Sequence, residues 1–500
     1  MSTLPKIGEK DPRYEVLNRR GFNKRFTGKP EYFKLAETVE DVVAAVQEAV
    51  TEGKRLSVRS GGHCLEGFVA DPSVQVLLDM SLMTGVYFDE EKKAFCIEAG
   101  TLLGEVYRKL FLGWGVLIPA GESPLIGAGG HFQGGCFGFL CREHGLAADY
   151  LYGAELVVVN ENKKAHTIVA TREEDDPNHE LWWALTGAGG GNYGIVTKFW
   201  FRTPGVNSDN PADLLPKAPA SVHLFRANWN WEGADQAAFS RLVKNYCDWC
   251  EQNSKAGTPE ATLYSLLMLR RLQTGSFGMI GLCTAGPAAA DISRKHVEAV
   301  NEGTGLQFTY ETEELSWPAF ACNPFPELFG VGMDNARMQG KDAFFRKGLT
   351  AEQINAVYKH LTTTEYNIMG AMFGMVTYGG KVNTIAPDAT ATPQRDCIIS
   401  SACSAGWGSK EEEAAHIAWN RSLYRELFAA TGGVPVPNEQ TDGAMINHPD
   451  ADLADPAWNT SGLHYSAFYW KGNYPRLQKA KMRWDPLNIF RHALSIQPVK

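Results

Sequence analysis

The sequence lacks the signatures of several large protein classes. No apolar run among its 500 residues is long enough to span a bilayer, so no membrane partner is expected. It has no basic tract, and a formal net charge of −9 disfavours a nucleic-acid partner. No Gly-Lys-Ser or Gly-Lys-Thr follows a glycine cluster, which excludes a P-loop. The first residues, Met1-Ser2-Thr3-Leu4-Pro5-Lys6-Ile7, lack the apolar centre of a secretory signal, so a cytoplasmic location is the default expectation. Ten cysteines show no framework spacing and read as thiols in that compartment. Cys247 and Cys250 form a Cys-x-x-Cys on a helical stretch, but no second pair or matching histidines complete a zinc site, and no metal is expected.

What remains is an ordinary globular composition, 44% hydrophobic and 21% charged, in a chain long enough for two or three domains. Its 50 glycines include four clusters within the first 200 residues that carry the most information. Arg59-Ser60-Gly61-Gly62-His63 follows an apolar, strand-like stretch, where a glycine turn brings backbone N–H groups against a pyrophosphate. Gly127-Ala128-Gly129-Gly130-His131-Phe132-Gln133-Gly134-Gly135 reads as a second such loop. Gly189-Gly190-Gly191-Asn192-Tyr193-Gly194 satisfies Gly-x-Gly-x-x-Gly, but the context is inverted for a dinucleotide fold. Glu180 to Leu185 before it looks helical, and Ile195 to Phe201 after it alternates like a strand. Several glycine clusters in one region point to one large anionic ligand held mainly by backbone.

Thr38 to Val50 has apolar positions at helical spacing behind a capping-box start, Thr38 with Asp41. Val74–Asp79 and Ala154–Val159 read as strands, Glu411 to Phe428 as an amphipathic helix, and Tyr474 onward as a basic helix stopped at Asp485-Pro486. Residues up to about 30 look like a polar lead-in, and a Pro-containing linker starts at Thr203. The expected division is 1–205, 206–445 and 446–500.

Five ordered motifs carry a family resemblance: Arg59 to Gly67, Gly129 to Gly135, Gly145-Leu146-Ala147-Ala148-Asp149, Gly189 to Gly194, and the tail from Asn473 to Ile496. Together they resemble the berberine bridge enzyme-like FAD-linked oxidases of the vanillyl-alcohol oxidase/p-cresol methylhydroxylase superfamily, above all the bacterial oxidases that tailor antibiotics and other secondary metabolites. The resemblance implies an α+β fold: a two-part FAD domain (1–205 and 446–500) around a substrate domain (206–445) with an antiparallel sheet backed by helices. It implies His63 as the covalent link to FAD. It implies further cofactor contacts at Arg59, Ser60, Gly61, Gly62, Ser123, Gly127, Gly130, His131, Gly134, Gly135, Asp149, Gly191, Asn192, Gly194, Ile195, Tyr469 and Asn473. A small-molecule substrate and O₂ would be the reaction partners, while the oligomeric state stays open.

Two departures from the family pattern bear on mechanism. Where many members carry a cysteine that forms a second flavin bond, this chain has Ser123, whose hydroxyl is a poor soft nucleophile. A single link at His63 is therefore expected; nearby Cys136 reads as a packed thiol or as a replacement link. Where relatives have Asn-Tyr-Pro-Asp with the tyrosine as base, this chain has Asn447-His448-Pro449-Asp450. An imidazole near pKa 6.5 accepts a proton without the activation a phenol needs. His448 is the expected base; the alternative is that it only hydrogen-bonds and the chemistry has changed to oxygenation, cyclisation, another acceptor or a non-redox rearrangement. Tyr378 matches a second active-site tyrosine of the family, and Glu122 is a further candidate beside the ring.

Overall fold

The computed structural model describes residues 4–325 and 336–499, which form three sheets. The first sheet is built by β1 (Ile7–Gly8), β2 (Tyr32–Leu35), β3 (Leu56–Arg59) and β4 (Val76–Asp79) in the order β1-β2-β4-β3. β4 is parallel to both β2 and β3, an arrangement that requires crossovers. The helix Val39–Thr51 leads from β2 to β3; its Thr38–Asp41 capping box forms, and Val42, Ala45, Val46 and Ala49 are buried at the spacing of one helical face. The N-terminal residues are more than a lead-in: Ile7, Tyr14 and Leu17 are buried in a small cluster with Phe33 and Leu77. Their apolar positions are too sparse to show a period in the sequence.

The second sheet, wholly antiparallel, contains β5 (Val86–Asp89), β6 (Ala94–Glu98), β7 (Leu151–Val159), β8 (Ala165–Thr171) and β9 (Ile195–Phe201) in the order β5-β6-β9-β7-β8. The third has seven strands: β10 (Ser221–Asn230), β11 (Leu263–Arg270), β12 (Ser276–Cys283), β13 (Phe308–Ser316), β14 (Arg337–Phe345), β15 (Ala371–Thr377) and β16 (Ile399–Trp407). Their order is β13-β10-β12-β11-β15-β16-β14, again antiparallel. The helices Ala289–Asn301 and Glu413–Leu427 pack on this sheet, with Gln236–Gln252 against Ala289–Asn301 and Ala351–Thr362, and Ala351–Thr362 against Glu413–Leu427. Cys247 and Cys250 are buried on the first of these helices, as packed thiols.

The chain then returns to its beginning. The helix Tyr474–Trp484 docks on residues 180–194: Arg476 forms two 2.7 Å bonds with Glu180, and buried Lys481 donates to the Asn192 carbonyl at 2.7 Å. The Ile496 amide donates to Asn192 Oδ1 at 2.8 Å. Among the described residues, no helix is long and apolar enough to cross a membrane.

Candidate active site

The loop after β3 begins with a fixed anchor. The buried Arg59 guanidinium bonds Asp79 at the end of β4, 2.9 Å from Nε and 2.8 Å from Nη2, and so ties two parallel strands together. Ser60 Oγ donates to the Ala99 carbonyl at 2.5 Å. Gly61 then packs directly on Gly127: a Cβ on either residue would overlap the other's backbone. The two glycine segments are thus one unit. The second is not a loop throughout, because Ala128–Phe132 forms a short helix capped by Gly127. Gly62 has φ +76°, a conformation that suits glycine. His63 follows, its ring stacked on Phe22 at 4.2 Å.

From Gly61 to Ala70 every residue is partly accessible, although this segment crosses the interior, so it lines a cleft. Gly130 faces the same space: it is exposed, and a Cβ built on it would meet nothing within 4 Å. Gly190 lies beside it. Gly191, at φ +77°, is flanked by His492 from the tail, whose ring stacks on Phe68 at 4.2 Å. Backbone from three glycine segments therefore borders the same space. That surface fits a large, flat, anionic cofactor held by main-chain groups.

One end of the cleft gathers four ionisable side chains. His63 is pushed down to about 4 by burial, and His131 to about 3, so both rings are neutral near pH 7. His131 Nε2 accepts the Gly121 amide at 2.9 Å. Glu122 is held above the ordinary carboxylate range by burial and accepts the Tyr264 hydroxyl at 2.6 Å. His448 keeps 41% of its side chain open although the protein surrounds it, and it feels the charges of Asp342 and Glu122. Burial alone would lower its pKa; the Asp342 carboxylate, 3.4 Å from Nδ1, outweighs that and holds it above 6.5. Phe137 meets the imidazole edge-on at 5.8 Å.

Other residues singled out by sequence hold the surrounding frame. Tyr378 is fully buried, its hydroxyl 3.4 Å from the Gln394 carbonyl, and Phe137 packs edge-on against both its ring and that of His448. Asp149 pairs with Arg395 at 2.7 and 3.1 Å. Asn473 donates to the carbonyls of Pro387 and Thr390, and the Tyr469 hydroxyl accepts the Asp450 amide at 2.9 Å. Gly134 and Gly135 make room for Asn447 and Thr392, and Gly194, just before Ile195, for the Val157 carbonyl. Ser123 is buried and accepts the Leu125 amide. Cys136 is fully buried, and burial pushes its thiol far up.

The sequence reading missed Asp342, Gln394 and the group Lys341, Asp450, Asp452. Gln394 Nε2 bonds the carbonyls of Ala444, Phe468 and Tyr469, fastening the tail. Lys341 Nζ lies 2.6 Å from Asp450 and 2.8 Å from Asp452. The available signal was Lys341-Asp342 itself, two adjacent charges in a strand that ends in Ala343-Phe344-Phe345.

A two-part frame around a glycine-walled cleft, with titratable groups at one end, defines a flavoprotein oxidoreductase. Family models agree in sequence position: "FAD binding domain" matches residues 30–162, and "Berberine and berberine like" matches residues 444–497. The aclacinomycin-N/aclacinomycin-A oxidase of Streptomyces galilaeus is 46% identical over 99% of this chain and 90% of that protein. The crystal structure of aclacinomycin oxidoreductase superposes with TM-score 0.96 at 45% identity, covering 99% of this chain and 100% of the other. A glycopeptide hexose oxidase, solved with teicoplanin, gives 0.95 at 46% identity, covering 99% of both chains. The chain belongs to the berberine bridge enzyme-like FAD-linked oxidases. It is an FAD-dependent oxidase with the α+β architecture of that family.

Proposed function

We propose that this oxidase acts on an alcohol carbon of a glycosylated or otherwise polyhydroxylated small molecule, with His448 as the base and O₂ as the final acceptor. The observation that carries the reading is the place of His448: an accessible imidazole at the titratable end of a glycine-walled cleft. Two relatives that share over 40% of its residues bear the names of an aclacinomycin oxidase and a glycopeptide hexose oxidase, and the second name supports a carbohydrate hydroxyl as the reacting group. FAD, when bound, supplies the two-electron acceptor. The protein's part is to take the hydroxyl proton on His448 and to exclude bulk water with Phe137. The cofactor is linked through His63 alone: its ring is neutral and accessible in the cleft, whereas Ser123 is a poor nucleophile and Cys136 is sealed in the core. Tyr378 supports the base through the Phe137 wall.

The test is O₂ uptake and peroxide release with aclacinomycin N, aclacinomycin A, teicoplanin and D-glucose, for wild type and His448→Ala. Loss of a general base should lower kcat/KM on the active compound by about 10²–10⁴-fold. Undiminished turnover by the variant would remove His448 from the mechanism. Acid precipitation reports the link: flavin should stay with wild type and leave His63→Ala.

A further inference from the structure

Asp342 lies on β14 directly behind His448. Its side chain is 2% exposed. Oδ2 accepts the Met445 amide at 3.3 Å and stands 3.4 Å from His448 Nδ1. Oδ1 is buried and, among the described residues, has no hydrogen-bond partner. The adjacent cation does not help it, because Lys341 is turned to Asp450 and Asp452. A buried carboxylate without a counter-charge is costly, and among the described residues the imidazole is the cationic group within ion-pair distance to relieve it.

We propose that Asp342 is a positioning residue for His448: its carboxylate receives the Nδ1–H and leaves the Nε2 lone pair facing the cleft. The pairing fixes both tautomer and ring orientation, as a carboxylate behind an imidazole does in other proton-transfer sites. The other ionisable groups around the imidazole do not compete for that place. Glu122 acts from the segment before Gly127 and is already bonded to Tyr264, while His63 and His131 are held neutral by burial. The inference rests on the reading of His448 as base, but its direct test does not require turnover.

Ring-¹⁵N-histidine labelling of the holoenzyme, with His448→Ala to assign the signal, reports tautomer and titration of this one ring. The expected wild-type result is a neutral form protonated on Nδ1, with a midpoint above 6.5. A neutral form protonated on Nε2 would overturn the proposal without any Asp342 variant. In Asp342→Asn the midpoint should fall by about one unit or more, and Asp342→Glu should restore part of it. A midpoint unchanged in Asp342→Asn would equally overturn the proposal. The acid limb of kcat/KM with aclacinomycin A should move in parallel. If His448→Ala retains full turnover while the ring titrates as expected, the base reading fails and the Asp342–His448 pairing stands.

Discussion

Gly61 and Gly127 impose a constraint through the atoms they lack. Each occupies the space where the other's Cβ would go, so neither segment approaches the cleft without the other. Gly61→Ala or Gly127→Ala should lower stability by about 1–3 kcal/mol through overpacking against backbone. The same variants should bind flavin less completely, as read by the ratio of 450 nm to 280 nm absorbance after purification; a full flavin complement would contradict the shared-unit reading. At His448 the prediction concerns pH. A base must be neutral to act, and its pKa is raised, so kcat/KM should rise with pH through a midpoint above 6.5. A profile already flat below pH 6 would exclude it. The glycines and histidines of this site were legible because their chemistry is local to a motif. Asp342 was not, because its meaning arises only when β14 is brought behind residue 448.

At the scale of elements, buried charge pins irregular chain to the large sheet. Residues 443–455 have little regular structure, yet Lys341 on β14 holds Asp450 and Asp452, and Arg421 from the helix Glu413–Leu427 bonds Asp452 as well. Removing the shared cation strands at least one buried carboxylate. Lys341→Met should therefore cost about 3–5 kcal/mol, measured by denaturant unfolding, and a loss below about 1 kcal/mol would show that water reaches the pair. Helices and strands with clear periods, such as Val39–Thr51 and Ile195–Phe201, matched the reading of the sequence. Lys341 escaped it because a lysine inside a strand carries no period and its partners lie over a hundred residues away.

At the scale of the whole molecule, acid should loosen the fold. Burial pushes His131 and His296 down to about 3 and His492 to about 4, so these rings stay neutral in the folded state while the unfolded chain takes up protons below 6.5. The stability they contribute is present above that pH and is lost as pH falls toward 4. The melting temperature should decline steadily over that interval, and a constant value would count against their burial. The tail is the other global determinant. A chain ending at Asn473 lacks Arg476, Lys481 and Ile496, and should be recovered without flavin; a yellow truncated protein would show that residues 474–500 are dispensable for the cleft.

The bond from the Ile496 amide to Asn192 also sets a schedule. The two residues are 304 positions apart, so a ribosome adding ~5–20 residues per second needs roughly 15–60 s between them. During that interval the glycine turn at 189–191 has emerged without the segment that backs it. Closure of that turn by its backing segment therefore waits for residue 496, and the cell must keep a half-made cradle from sticking to itself until that residue has emerged.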